Sequence, residues 1–182
     1  MEYFKKIKLK DGRECVLRNG TEKDAEPVLA VFRLTHEQTD FLLTYADENS
    51  FTAESEAKYL KERTESENEA EIIADINGSI AGMAGIDLYG KQEKIRHRAE
   101  FGISIDRAYW GLGIGRALTE ACIECAGKAG YRQLELFVVA DNIKAIRLYE
   151  SVGFVEFARN PRGHRLRSGQ WQELLSMRLE LD

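Results

Sequence analysis

Three glycines alternate with aliphatic residues in the segment Gly111-Leu112-Gly113-Ile114-Gly115, where a strand pattern gives way to a helix pattern. The first amides of a helix have no partner inside the helix, and glycine lets a bound group approach the backbone closely. A row of exposed N–H groups at a helix start binds phosphate or pyrophosphate. Each glycine also costs a helix about 1 kcal/mol relative to alanine. We therefore favour anion binding here over a glycine-rich turn that binds nothing.

Two other nucleotide-binding motifs contain similar glycines, and their spacing can be tested. The dinucleotide motif GxGxxG requires a glycine at position 116 after Gly111 and Gly113, or at position 118 after Gly113 and Gly115. The sequence has Arg116 and Leu118 at these positions, and a P-loop motif occurs nowhere in the chain. The spacing therefore argues against a dinucleotide-dependent oxidoreductase and against ATP or GTP hydrolysis.

Residues 110–115 read Trp-Gly-Leu-Gly-Ile-Gly, and residues 141–154 contain Asn142, Ala145 and Tyr149 before a final Gly-Phe pair. These blocks resemble two motifs of the GNAT superfamily, the Gcn-five-related N-acetyltransferases: Arg/Gln-x-x-Gly-x-Gly/Ala and Asn-x-x-Ala-x-x-x-Tyr-x-x-x-Gly-Phe. Trp110 departs from the arginine or glutamine of the first motif, which affects cofactor packing more than the row of amides. The resemblance covers residues 99–154, and elsewhere only the order of elements agrees.

The resemblance implies an α/β (α+β) fold with one N-acetyltransferase domain over residues 1–182. Its centre would be a mixed, mostly antiparallel, splayed sheet flanked by helices. CoA would lie between the strands at residues 100–105 and 133–139, with its pyrophosphate on the amides of residues 112–116. Asn142 would flank the pantetheine arm, although it also suits a helix N-cap. The residues assigned to the cofactor are Ile103, Ser104, Ile105, Gly111, Leu112, Gly113, Ile114, Gly115, Arg116, Asn142, Ala145 and Tyr149.

Acetyl transfer from a thioester to an amine needs a neutral amine, a polarised carbonyl and a proton for the leaving thiolate. Tyr149 suits the last role, because a phenol of pKa about 10 can protonate a thiolate whose conjugate acid is near about 8.5. The resemblance places Glu100 where many relatives carry an acidic general base. A main-chain N–H near Ser104, freed by a bulge, is the expected oxyanion donor. Alternatively, Tyr149 is a core aromatic, and Glu100 pairs with Arg98 or Arg96 at the surface.

An acidic run surrounds the second predicted helix and would attract a cationic amine such as a polyamine. Such runs are more often a solvated helix face, and we favour that interpretation. The run consists of Asp47, Glu48, Glu54, Glu56, Glu62, Glu65, Glu67, Glu69 and Glu71.

A basic segment near the carboxyl terminus would bind an amino acid's carboxylate or the phosphates of CoA, since arginine holds both in a bidentate manner. The alternative is an ordinary exposed hairpin tip. The segment contains Arg159, Arg162, His164, Arg165 and Arg167.

Composition and charge narrow the class of protein. The chain has 182 residues and a formal net charge of -5, so its surface as a whole does not attract nucleic acid or an anionic membrane. The amino-terminal segment lacks an apolar stretch of signal-peptide length, and no stretch is long enough to span a bilayer. We therefore expect a cytoplasmic protein with no nucleic-acid or membrane partner.

Cysteine and histidine give no sign of a metal site. Cys122 and Cys125 face the same side of a predicted helix, and we favour buried small residues over a redox pair. His36, His97 and His164 are far apart in sequence and lack ligand spacing. No metal is predicted.

Hydrophobic periodicity and turn residues predict the order of elements. Residues 39–51 fit neither period and are a candidate substrate lid. Strands are expected at residues 5–10, 13–18, 70–76, 79–89, 98–105, 133–140, 152–158 and 171–181. A helix is expected after a weak capping box at residues 21–24 and should reach about residue 38. Further helices are expected at residues 52–65, 114–129 and 142–151, with a loop at residues 159–170.

The expected function is N-acetyl transfer from acetyl-CoA to a primary amine by direct attack in a ternary complex. The acceptor would be a small amine, an amino acid or a protein N-terminus. The alternative is a non-catalytic acyl-CoA-binding sensor or interaction module of the same fold. Edge strands at either end of such a sheet also allow a homodimer.

Overall fold

Eight strands and four α-helices make up residues 1–181, the part of the chain that this computed structural model describes. Asp182, the last residue of the expected domain, lies outside the described residues. The strands are β1 Phe4–Lys8, β2 Glu14–Asn19, β3 Ala70–Ile76, β4 Ser79–Leu88, β5 Arg98–Ile105, β6 Gln133–Val139, β7 Val155–Arg165 and β8 Trp171–Glu180. The helices are α1 Ala25–Gln38, α2 Ala53–Glu65, α3 Ile114–Lys128 and α4 Ile143–Ser151.

All eight strands belong to one sheet, in the order β1-β2-β3-β4-β5-β6-β8-β7. Neighbouring strands are antiparallel except β5 and β6, which run parallel. Their pairing covers only residues 98–100 of β5 and 133–135 of β6, after which the two strands separate. This confirms the expected mixed, mostly antiparallel, splayed sheet. The gap between β5 and β6 is the feature that positions the site.

Local sequence signals explain most element boundaries. Asn77 and Gly78 both have positive φ angles, 53° and 85°, as a two-residue hairpin turn between β3 and β4 requires. The Thr52 side chain accepts a hydrogen bond from the Ser55 amide and caps α2. Gly130, with φ of 80°, follows the end of α3. Each of these boundaries lies within two residues of its predicted position.

The prediction of a loop at residues 159–170 is wrong for residues 159–165, which belong to a strand. β7 continues to Arg165 and pairs with β8 as far as Arg165 with Trp171. β7 is an edge strand that is exposed along nearly all of its length. Because neither of its faces enters the core, it lacks the alternation of apolar and polar residues that identifies a half-buried strand.

The two faces of the sheet pack against different helices. The larger hydrophobic cluster joins α3 and α4 to one face, and it includes Cys122 and Cys125 as fully buried free thiols. The smaller cluster joins α1 and α2 to the other face, through Val28, Leu60 and Ile73. The cysteines therefore act as small core residues, as the sequence predicted. No helix among residues 1–181 combines the length and apolar character needed to cross a membrane.

Arg98 and Glu135 join β5 to β6 at the point where the gap begins. Arg98 Nε and Nη2 each donate to the Glu135 carboxylate at 2.7 Å, and the Glu135 side chain is only 3% exposed. Loss of one partner of such a buried ion pair strongly destabilises the folded protein, because the other charge remains buried without a partner.

We predict that Arg98→Ala lowers the free energy of unfolding by about 3–5 kcal/mol, since it leaves the Glu135 charge without a partner. Urea denaturation followed by circular dichroism measures this change. The control is Lys6→Ala, which breaks an exposed ion pair with Glu14 and should cost about 1 kcal/mol or less. Equal losses in the two variants would show that the Arg98 pair does not hold β5 and β6 together.

Candidate functional site

The gap between β5 and β6 opens into a cavity of about 1000 Å³. Its walls come from α1, α2, β3, β4, β5, β6, the start of α3, α4 and the β7–β8 hairpin. Most of residues 39–51 line one side of it, including Phe41, Leu43 and Phe51. The segment that the sequence marked as a candidate lid thus covers this cavity.

The glycine-rich turn adopts the backbone conformation that its glycines predict. Gly111 and Gly113 have φ angles of 80° and 99°, in the left-handed region that side chains disfavour. Gly113 is the N-cap of α3, which begins at Ile114. Among the described residues, no acceptor takes the N–H groups of residues 111–116. The expected row of free donors is therefore present at the start of α3.

Close packing at Gly115 fixes this helix start against the sheet. A Cβ added there would lie 3.2 Å from Leu148 Cδ2 and 3.4 Å from Ile105 Cδ1. The Thr119 hydroxyl also donates to the Gly115 carbonyl at 2.8 Å. Gly115 lines the cavity, so a side chain at this position would crowd both the packing and the space above it.

Trp110 stands where the GNAT motif has arginine or glutamine. Its indole Nε1–H donates to the Ile105 carbonyl at 2.8 Å, and its ring lines the cavity. The hydrogen bond ties the turn to the carboxyl end of β5. Trp110 thus positions the row of amides from one side while its ring faces the cavity.

The direction of the β5 amides follows from the strand register. Tyr89 N–H donates to the Arg98 carbonyl at one end of the β4–β5 ladder, and Asp106 N–H donates to the Ala81 carbonyl at the other. Hydrogen-bonded pairs alternate along an antiparallel ladder, and the β4–β5 register has no shift. Even-numbered residues of β5 therefore direct their N–H groups to β4, and odd-numbered residues direct theirs to the gap.

This register corrects the expectation for Ser104. No bulge is present at Ser104, and its N–H faces Met83 of β4 rather than the cavity. The gap-facing amides beyond the short β5–β6 pairing are those of Ile103 and Ile105. The Trp110 hydrogen bond agrees, because it shows that the Ile105 carbonyl points away from β4. The main-chain donors that face the gap are therefore the amides of Ile103 and Ile105, on either side of Ser104.

Tyr149 lies on α4 with its ring between Phe101 and Phe154, at centroid distances of 6.1 and 6.0 Å. It is 7% exposed and lines the cavity. Burial raises the pKa of its phenol well above the usual value, so the hydroxyl stays protonated at neutral pH. On the same helix, Asn142 Oδ1 accepts the Ala145 N–H at 3.3 Å, and both residues also line the cavity.

Glu100 lies on β5 and lines the same cavity. Burial raises the pKa of its carboxyl, and the nearby negative charges of Asp87 and Glu135 raise it further. Arg98 bonds to Glu135 instead, and no ion pair joins Glu100 to Arg98 or Arg96 among the described residues. The alternative of a surface ion pair is therefore not what the structure contains.

Four further carboxylates that sequence reasoning did not assign to the site line the cavity: Glu48, Glu56, Glu71 and Asp87. Glu56 and Glu71 belong to the acidic run that we interpreted as a solvated face. Glu56 is buried and Glu71 is partly buried, so that interpretation is wrong for these two residues. A charged second residue in the strongly apolar strand β3 was the available signal for Glu71.

Of the basic residues of β7 and the following turn, only His164 lines the cavity, and the four arginines make contacts elsewhere. Arg167 pairs with Asp47 at 2.7 Å, and Arg159 pairs with Glu156 at 2.6 Å. Arg162 and Arg165 lie over the ring of Trp171. Within residues 1–181, no group of three or more His, Cys, Asp or Glu side chains is arranged to hold a metal ion.

We predict that Gly113→Ala lowers the free energy of unfolding by about 1–2 kcal/mol, because alanine is strained at φ of 99°. The matched control is Gly127→Ala within α3, where φ is not positive and a Cβ has open space. That control should raise stability by about 0.5–1 kcal/mol. Urea unfolding of both variants measures the difference, and a stabilising Gly113→Ala would contradict the assigned turn conformation.

Known proteins resemble this chain over most of its length. It is 26% identical over 165 residues to the L-amino acid N-acetyltransferase AaaT of Escherichia coli, a match that covers 90% of this chain and 96% of that protein. The structure of a GNAT-family acetyltransferase from Streptococcus pneumoniae superposes with a TM-score of 0.87 at 30% identity, covering 92% and 99% of the two chains.

A second solved structure, of the yncA protein of Salmonella typhimurium with its cofactor acetyl-CoA, has a TM-score of 0.81 at 21% identity. It covers 92% of this chain and 94% of that one, and it shows the likeness of fold.

The family comparison covers the central part of the chain. Residues 33–154 match the family described as the Acetyltransferase (GNAT) family. This range contains the glycine-rich turn, Glu100 and Tyr149, and it takes in about two thirds of the sequence. The chain belongs to the GNAT family of acetyltransferases.

Proposed function

We propose that the protein transfers the acetyl group of acetyl-CoA to a primary amine, by direct attack in a ternary complex. The observation that carries this proposal is the convergence on one cavity of the free amides at the start of α3, the gap-facing edge of β5, Tyr149 and Glu100. Family membership supports the reaction class. The acceptor class is a small amine, an amino acid or a protein N-terminus.

The residues around the gap suit CoA. The amides of Leu112, Gly113, Ile114, Gly115 and Arg116 would hold the pyrophosphate, because they are unpaired and lie at the positive end of the α3 dipole.

The pantetheine arm would extend along β5 as an added strand. Ile105 offers its gap-facing amide to this arm, and Asn142 and Ala145 flank it from α4. The absence of a Cβ at Gly115 lets Leu148 and Ile105 pack against the start of α3 beside this arm. Acetyl-CoA would supply the activated acetyl group as a thioester.

Side chains of the protein would deprotonate the acceptor amine and protonate the leaving thiolate. Glu100 takes a proton from the acceptor ammonium, directly or through water, and the neutral amine attacks the thioester carbon. The gap-facing amide of Ile103 stabilises the negative oxygen. As the carbon–sulfur bond breaks, Tyr149 donates its proton to the CoA thiolate. The surplus proton on the attacking nitrogen returns to the Tyr149 phenolate, directly or through water, and Glu100 releases its proton to solvent. The products are the acetylated amine and CoA.

We predict that Tyr149→Phe lowers kcat by about 100-fold, because the leaving thiolate loses its proton donor. Its affinity for acetyl-CoA, measured by calorimetry, should stay the same. The control is Tyr131→Phe, which removes a buried hydroxyl that has no partner among the described residues. The control should keep full activity, and full activity in Tyr149→Phe as well would remove Tyr149 from the mechanism.

We predict that Glu100→Gln lowers kcat/KM by about 100-fold or more and abolishes the acidic limb of its pH profile. In the unmodified enzyme, the rate should fall as pH decreases through the raised pKa of Glu100, because the base becomes protonated. The control is Glu150→Gln at an exposed position of α4, which should leave the profile unchanged. An acidic limb that persists in Glu100→Gln would assign the base elsewhere.

The setting of the enzyme is also part of the proposal. We infer that it acts in the cytoplasm, since its three cysteines are free and buried, as suits a reducing compartment. The net charge of -5 gives no support to a nucleic-acid or membrane partner. A homodimer through the exposed edge strands β1 or β7 stays a prediction, and so does a single domain over the whole chain.

A further inference from the structure

The cavity carries an uneven charge. Five carboxylates line it, and among the described lining residues there is no lysine or arginine. The two histidines that line it are His36 and His164, and burial lowers the pKa of His36, which favours its neutral form. The five acids are Glu48, Glu56, Glu71, Asp87 and Glu100.

The strand register places the sheet acids around a recess. Glu71 of β3 pairs with Gly85 of β4, which pairs with Gly102 of β5, and paired residues share a face of the sheet. The next row contains Asp87 and Glu100. A Cβ at Gly85 would collide with Glu71 Oε2, whereas a Cβ at Gly102 would meet open space. The two glycines thus form the floor of a recess bordered by carboxylates.

The nearby cations are already engaged by other acids. Arg63 pairs with Glu69 at 2.8 Å and with Asp87 at 2.5 Å, and its guanidinium lies over the ring of Tyr59. Arg98 is bound to the buried carboxylate at the start of β6. Neither arginine contacts the carboxylate of Glu71.

The carboxylate of Glu56 is buried beside the recess and has no partner among the described residues. Its side chain lines the cavity although the residue is only 6% exposed, and no hydrogen bond or ion pair satisfies its carboxylate among the described residues. Glu71 also has no such partner, and burial with the charges of Asp87 and Glu56 raises its pKa to about 8. A carboxylate as deeply buried as that of Glu56 is normally paired, so its lack of a partner beside the partly buried Glu71 points to a cation that binds in the recess.

We propose that the acceptor carries a second cationic group and no carboxylate, and that Glu56 and Glu71 bind this second group while the reacting amine lies at Glu100. The inference rests on the proposed function. Glu71 and Glu100 lie two strands apart on the same face of the sheet, a separation of about 10 Å across the strands, and both line the cavity. A short aliphatic diamine matches this arrangement, whereas an amino acid would bring its carboxylate against Glu56 and Glu71, which have no cationic partner among the described residues.

Three amines of equal chain length test the proposal in an assay of released CoA: 1,4-diaminobutane, butan-1-amine and 4-aminobutanoate. We expect kcat/KM for the diamine to exceed that for butan-1-amine by about 10-fold or more, because a charge-assisted contact is gained. 4-Aminobutanoate should be the poorest acceptor, since its carboxylate meets uncompensated negative charge. Butan-1-amine or 4-aminobutanoate reacting as well as the diamine would overturn the inference.

Two variants test whether Glu71 and Glu56 cause the preference for the diamine. Glu71→Gln and Glu56→Gln should each lower the ratio of diamine to butan-1-amine kcat/KM by about 5-fold or more, since each removes one of the proposed contacts. The control is Glu65→Gln on the exposed side of α2, which should keep the ratio. An unchanged ratio in both test variants would also overturn the inference, and the wild-type comparison stands even if a variant does not fold.

The same assay separates this inference from the function on which it rests. Turnover of an amino acid or of butan-1-amine without a diamine preference would leave acetyl transfer intact and refute only the substrate class. Binding of acetyl-CoA in calorimetry with no CoA release from these amines, from α-amino acids or from peptides with a free N-terminus would refute both and support the non-catalytic alternative.

Discussion

The whole site depends on the end of pairing between β5 and β6 after three residues of each strand. Main-chain groups inside a protein need partners, so a sheet does not normally leave two neighbouring strands apart. Here the strands are joined at one end by their parallel pairing and by the Arg98–Glu135 ion pair, and they diverge beyond it. The unpaired edge of β5 faces a cavity instead of another strand, which makes its amides available to a ligand that itself pairs like a strand.

The two faces of the sheet have different roles, one in stability and one in the site. The face toward α3 and α4 is apolar and contains the larger hydrophobic cluster, so burial of nonpolar surface stabilises the chain mainly there. The face toward α1 and α2 carries the glycines and carboxylates around the recess. Its smaller cluster leaves room for the cavity. The fold thus keeps the acids on the face that contributes less to the core.

The sequence predicted the parts of the site that depend on local conformation. The free amides of the glycine-rich turn, the capping role of Asn142 and the helical position of Tyr149 follow from residue types and spacing within one segment. The positions of Glu71 and of the Ser104 amide depend on strand register, and a shift of one residue moves a group to the opposite face. Neither the absence of a bulge nor the facing of two acids across three strands could be derived from one sequence.

The indole of Trp110 gives this enzyme a built-in optical reporter. The chain has two tryptophans. Trp110 lines the cavity at the glycine-rich turn, whereas Trp171 lies on β8 beneath two arginines and does not line it. A molecule that enters beside the turn would change the surroundings of only one of the two fluorophores. Emission from the protein therefore carries a signal of occupancy against a nearly constant background, without any label.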